Sequence, residues 1–187
     1  MPGATEEKRQ QAEELVRSVA FLKFSLVSPS SGQKVAKLLA DGKAPRGYKL
    51  TEDGDGNPCY IKDLSQNVDY TSSEYALYLR KFGNPNPGTN FMLEKKSEEK
   101  IDYYYPIFVK RIVELTGENL ARAKADSNPQ TGERVVSLTF DSDGRRKFAN
   151  VTGKNIGQQL AIILDDVVYS APVIQSRIDG DAIITGR

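Results

Sequence analysis

Two short apolar runs separated by a pair of aspartates constrain this chain most. Leu160 to Leu164 is followed by Asp165-Asp166 and then by Val167, Val168 and Tyr169. Asp tolerates the positive φ of a two-residue turn, so the spacing predicts a tight antiparallel hairpin. Pro172 cannot donate to a ladder, so the second strand must lie at an edge or break there. Ile178 to Asp181 predicts another turn around Asp-Gly, and Ala182-Ile183-Ile184 a further strand. This is the densest apolar segment of the chain, and a core sheet is expected here.

Upstream, residues 5–20 read as a helix capped by Thr5, with Ala12, Leu15, Val16 and Val19 at helical spacing. Phe21 to Val27 reads as a strand with Leu22, Phe24 and Leu26 on its apolar face. A short helix is predicted near 33–41 on Val35, Leu38 and Leu39, stopped by Gly42. From Lys43 to Lys100 the chain is rich in Pro and Gly and thin in apolar residues. Within it, Gly47–Leu50 and Cys59–Ile61 predict a hairpin with a polar tip from Glu52 to Pro58. Ser72 or Ser73 caps a helix to about Phe82 with Tyr75, Leu79 and Phe82 inward, Asn84–Gly88 is a loop, and Phe91–Leu93 resumes a strand.

Tyr103 to Val113 is an aromatic and β-branched run, with Pro106 placing it at an edge or a bulge. Strand alternation sends Tyr104 to one face and Tyr103 and Tyr105 to the other, where an extended peptide or bases could stack; core packing is the competing reading. Thr116, with Asn119 in the capping-box position, predicts a helix to about Ala125. Arg134 to Phe140 alternates as a strand, and a helix follows to about Thr152 with Phe148 and Val151 inward. The fold class is α+β, a mostly antiparallel sheet with helices packed on one face.

Chemistry is limited by what the chain lacks. There is no His, which removes Ser-His-Asp triads, Cys-His dyads and His-ligated zinc. The single Cys59 forbids an intrachain disulfide and reads as a lone thiol near a loop. Lys plus Arg is 26 against 25 Asp plus Glu, a net charge of +1, without the basic footprint of a nucleic-acid binder. No apolar run approaches the roughly 18 residues of a membrane helix, and no signal-peptide core is expected at the N-terminus.

Asp53, Asp55 and Asn57 occupy calcium-loop positions one, three and five. Pro58 stands where Gly belongs and Leu64 where Glu belongs, so a solvated hairpin tip is the better reading. Thr152-Gly153-Lys154-Asn155 shares only Gly-Lys with a phosphate loop and is rejected. Asp165 and Asp166 read as turn residues rather than an acid/base pair. The glycosylation sequon Asn150-Val151-Thr152 falls on a predicted helix and is discounted. Catalytic, metal and cofactor sites are all expected to be absent.

The C-terminal half resembles the first large periplasmic domain of the SecD family of protein-translocase subunits. The resemblance rests on Leu115-Thr116-Gly117, Asn119-Leu120 and Ala123, then on Val136–Asp141, Gly144 and Phe148-Ala149. It continues through Thr152, Asn155-Ile156-Gly157, Leu160–Asp165, Tyr169-Ser170-Ala171-Pro172-Val173-Ile174, Ile178 and Ile184-Thr185-Gly186. It is firm over 113–186 and weaker over 12–27, where Ser25 replaces a usual Arg. Thr116, Gly117, Asn155, Gly157, Asp165, Ser170, Ala171, Pro172 and Gly186 are the signature positions, with an architectural role.

The resemblance implies the head of that domain with a remnant of its ferredoxin-like base, 1–28 being base and 29–187 head. Within the head, 43–100 is an elaboration and 101–187 the family-signature part. It implies an RND-superfamily subunit working beside SecF and SecYEG in proton-motive-force-dependent export. The full-length protein would be anchored in the bacterial inner membrane, with this fragment soluble on its periplasmic face. The partner implied is unfolded preprotein, bound without catalysis; the alternative is a structural or docking domain that transmits motion without touching it. The resemblance names no preprotein-contact residue and implies no cofactor or nucleic acid.

Overall fold

The computed structural model describes residues 21–98, 100–127 and 134–185. The helix expected over 5–20 lies outside them. In chain order the elements are β1 (Lys23–Leu26), α1 (Ser31–Ala40), β2 (Tyr48–Glu52), β3 (Pro58–Lys62), α2 (Ser73–Lys81), β4 (Thr89–Glu98) and β5 (Ile101–Lys110). They continue with β6 (Leu115–Thr116), a single 3-10 turn (Gly117–Asn119), β7 (Leu120–Ser127), β8 (Arg134–Phe140), α3 (Ser142–Lys154), β9 (Leu160–Leu164), β10 (Val167–Ser170) and β11 (Ala182–Thr185).

Eight strands form one sheet in the order β2-β3-β5-β4-β10-β9-β1-β6, and β11-β8-β7 form a second. Every described ladder is antiparallel except the pairing of β10 with β4 at Val168 and Glu94. The large sheet closes on itself. Val27 bridges Val109, and the Ser28 N–H donates to the Phe108 carbonyl at 2.8 Å. The ring β1-β9-β10-β4-β5 is therefore a small barrel. Its interior is filled by Val27, Met92, Ile107, Val109, Ala161, Ile163 and Val168.

The outer face of the barrel carries two cores. Phe24, Leu26, Leu115, Leu160 and Ile162 pack under α3 (Phe148, Val151) and under Leu138, Phe140 and Ala182 of the small sheet. Phe91, Leu93, Tyr104 and Phe108 pack under α1 (Leu38) and α2 (Tyr75). The three described helices thus lie on one face of a mostly antiparallel sheet, the expected α+β arrangement.

Pro106 sits in β5 opposite Leu93. Phe108, two residues on, turns its backbone away from β4: its N–H donates to Ser31 Oγ at 2.9 Å and its carbonyl accepts from Ser28. Pro106 has the same parity, so its missing donor falls on that outer side. There β5 has left β3, paired at Tyr104, and not yet met Val27. The proline occupies a local edge inside a ten-residue strand.

The helix expected from Thr116 to Ala125 is a correction. The capping box is present, with Asn119 Oδ1 accepting the Thr116 N–H at 3.3 Å, but it caps only the 3-10 turn. Leu120 onward runs as β7 against β8. Leu120 to Ala125 is built of good helix formers. The non-local ladder to β8, and burial of Leu120 and Ala123 against the first core, override that local propensity.

The two-Asp hairpin forms as expected, with Asp165 and Asp166 at φ 49° and 62°. β10 ends at Ser170, two residues before Pro172. The Pro172 carbonyl still accepts from the Leu160 N–H at 3.0 Å, and Val173 bridges Gln159. The break frees no edge on the β9 side; it marks where the chain leaves the barrel for the small sheet.

Candidate functional site

The signature positions are joints of the framework rather than one cluster. Thr116 and Gly117 open the 3-10 turn, and the Gly117 N–H donates to the Leu22 carbonyl at 2.9 Å. Asn155 closes α3 by donating from Nδ2 to the Val151 carbonyl at 2.8 Å. Gly157 takes φ +84° and donates to the Ile174 carbonyl. Asp165 is at the hairpin tip, and Ser170, Ala171 and Pro172 form the exit from β10. Gly186 lies outside the described residues. Gly153 and Lys154 end α3, the negative end of the helix dipole and the wrong end for a phosphate.

The Asp53 carboxylate is engaged by its own loop and by Tyr105 of β5. It accepts from the Asp55 and Asn57 N–H groups at 3.0 and 2.8 Å, from Asn57 Nδ2, and from the Tyr105 hydroxyl at 2.7 Å. The Tyr105 hydroxyl first, then Asn57, holds this carboxyl at about 2. Its folded-state pKa lies below the unfolded value, so its stabilising contribution is present above about pH 4 and is lost as pH falls through about 2. Tyr105→Phe is expected to move the Asp53 midpoint up toward the ordinary Asp range, read by carboxyl-carbon NMR titration; an unmoved midpoint would contradict the assignment. Cys59, buried in β3, has its thiol pushed up to about 11, first by burial and then by Asp53, Glu98 and Glu52. That is the opposite of a reactive thiolate.

The tyrosines lead elsewhere. Tyr104 is buried and takes part in a run of edge-to-face and tilted ring contacts. It meets Tyr48 at 5.1 Å, which meets Tyr70 at 5.5 Å, and the series passes through Tyr75, Tyr78 and Phe82 to Phe91 and Phe108. The hydroxyls converge on the loop before β2. Tyr60, Tyr75 and Tyr70 donate to the carbonyls of Lys43, Arg46 and Gly47 at 2.7, 2.7 and 2.6 Å, and Tyr78 accepts the Arg46 N–H at 2.9 Å. Burial raises Tyr60 and Tyr104 to about 12 and pushes Tyr75 up as well. Gly47 has φ +85°, and a Cβ there would lie 2.7 Å from the Tyr70 hydroxyl. The segment from Lys43 to Gly47 is thus fixed from below by side chains from β3, α2 and the segment preceding α2.

Lys43 of this fixed loop lines an open groove of about 470 Å³. One wall is α1, presenting Lys34, Lys37, Leu38 and Asp41 at i, i+3, i+4 and i+7, a single helical face. The opposite wall is the corner Phe82-Gly83-Asn84 that ends α2. Gly83 is at φ +68°, and a Cβ there would lie 2.8 Å from Leu38 Cδ1, so only glycine allows this close approach to α1. Lys34 Nζ spans the walls, donating to the Asn84 carbonyl at 2.8 Å while lying 5.5 Å over the Phe108 ring. Lys43 pairs with Asp41 at 3.4 Å. The floor is apolar, Leu38 and Phe82, and the rim is cationic.

The groove was not read from the sequence: Leu38 and Phe82 were expected only as inward-facing helix residues and Asn84 only as the start of a loop. Three lysines within ten residues, at 34, 37 and 43, were the available signal, together with Tyr75, Tyr78 and Phe82 at helical spacing. Nothing local joins Lys34 to Asn84, fifty residues away.

Residues 91–187 match the family described as the SecDF P1 head subdomain. A protein translocase subunit SecD of Elusimicrobium minutum is 35% identical over 179 residues, 95% of this chain and 31% of that protein. The SecD of Desulfurispirillum indicum is 47% identical over 83 residues, covering 44% of this chain and 16% of that protein. A crystal structure of SecDF in a super-membrane-facing form aligns with a TM-score of 0.47 at 25% identity, over 100% of this chain and 19% of that one. The chain spans less than a third of the length of these relatives.

Proposed function

The chain belongs to the SecDF P1 head family, and from that membership we propose that it handles emerging preproteins, without catalysis, during Sec-dependent export. The α1 groove carries this reading. An open apolar floor beside a rigid loop suits a side chain of an extended polypeptide, which needs a place to rest rather than a reacting group. The one carboxylate in the groove lining, Asp41, is paired with Lys43 and suits no acid/base role. In this reading residues 1–28 belong to the base and 29–187 to the head. The domain faces the extracytoplasmic side and acts with SecF and SecYEG through the rest of the full-length protein.

The test is site-specific crosslinking in the full-length protein. A photo-reactive residue at Lys37 is expected to form an adduct with a stalled preprotein. Export at the normal rate with no adduct from Lys37 or Asn84 would favour instead a domain that transmits motion without preprotein contact.

A further inference from the structure

Building on that preprotein-handling reading, we propose that the groove between α1 and the Phe82–Asn84 corner selects polypeptide segments in which an apolar side chain is flanked by carboxylates. The chain as a whole is almost neutral at +1, yet this groove collects three ammonium groups and one carboxylate. The carboxylate is held by Lys43. Lys34 and Lys37 therefore stand one turn apart on the α1 wall without an acidic partner among the described residues.

Their geometry sets the ligand. Lys34 uses one of its three donors on the Asn84 carbonyl, which holds the ammonium in place with two donors to spare. Lys37 lies three residues on, on the same helical face, with Leu38 beside both. An apolar side chain resting on Leu38 and Phe82 carries the peptide past both ammonium groups, whose long flexible stems can reach carboxylates on either side of it. Carboxylates there gain attraction, and basic groups meet like charge at close range.

Two other anionic partners fit less well. A bare phosphate would meet the ammonium groups but leave the apolar floor of Leu38 and Phe82 unused. A flat anionic bilayer would touch the lysines but could not reach the floor, since Leu38 is buried. The apolar floor is what favours a polypeptide.

Fluorescein-labelled Gly/Ser peptides carrying Glu-Phe-Glu, Gln-Phe-Gln, Lys-Phe-Lys or Glu-Ser-Glu at their centre test this on the 187-residue chain by anisotropy. Glu-Phe-Glu is expected to bind at least tenfold more tightly than the other three, with affinity falling as salt rises. Lys37→Glu, at an exposed position that leaves the fold intact, is expected to lower that affinity about tenfold. Lys37→Arg is expected to keep it. Equal binding of Gln-Phe-Gln overturns the charge selection while leaving preprotein handling in place. Binding of no peptide overturns the selection, and if crosslinking from Lys37 and Asn84 also fails, the preprotein reading falls with it. Sedimentation with phosphatidylglycerol vesicles that is abolished by Lys37→Glu, without Glu-Phe-Glu binding, assigns the groove to a membrane surface and overturns the proposal.

Discussion

Phe91→Ala is expected to destabilise the protein by about 3–5 kcal/mol and to weaken peptide binding with it. Phe91 has no exposed surface and lies on β4 between two rings. It meets Phe82 at 5.0 Å and Phe108 at 5.5 Å, both edge-to-face. Each such pair adds about 0.5–1.5 kcal/mol beyond the area it buries. Truncation leaves a cavity directly under Phe82, part of the groove floor, so floor and core fail together. Against a total stability of about 5–15 kcal/mol, the loss is a large fraction. Urea denaturation is expected to show a lower midpoint at unchanged slope. A loss below about 1 kcal/mol would mean that Phe91 does not hold this core.

Gly144→Ala tests the other half of the molecule through the sign of its effect. Gly144 lies in the first turn of α3, where replacing Gly by Ala ordinarily stabilises a helix by about 1 kcal/mol. Here a Cβ would collide with the backbone oxygen of Asn119 and lie 3.0 Å from Asn119 Cβ. The neighbouring links are tight. Asp141 caps the helix by accepting the Gly144 N–H at 2.7 Å, and its own N–H donates to the Asn119 carbonyl at 3.0 Å. Neither backbone can yield without breaking a cap, so overpacking of about 1–3 kcal/mol is expected. A lower melting temperature than the parent is the expected result. Stabilisation would show that the 3-10 turn and α3 do not meet this closely.

The elements that were legible in the sequence are those whose cause is local. The hairpin of β9 and β10 follows from two aspartates between two β-forming runs. α2 follows from Ser72, whose hydroxyl accepts the Tyr75 N–H at 3.2 Å, and from the spacing of Tyr75, Leu79 and Phe82. Where a partner distant in sequence decides the outcome, local reading fails. Leu120 to Ala125 has helical composition and is a strand because β8 lies beside it. Barrel closure rests on Val27 and Val109, which no spacing connects. The groove is of the same kind. Its lysines are visible in the sequence, but its second wall arrives through Gly83 and Asn84, placed by a long excursion through β2, β3 and α2.

That excursion also shows how a Pro- and Gly-rich stretch becomes ordered. Four tyrosine hydroxyls and a continuous series of rings order a segment whose own composition offers little core. The result is a rigid wall for an open groove, and pre-ordering of this kind lowers the entropic cost of holding a flexible ligand.

An unfolded polypeptide resting in the groove between α1 and the Phe82–Asn84 corner would leave its mark on the backbone amides there. The most direct measurement is a backbone amide NMR titration of the 187-residue chain with an unfolded preprotein segment containing Glu-Phe-Glu. Shifts are expected to concentrate at Lys34, Lys37, Leu38, Lys43, Gly83 and Asn84, with β7 and β11 unmoved. Shifts along the open edges β2, β7 or β11 with the groove silent would contradict this placement.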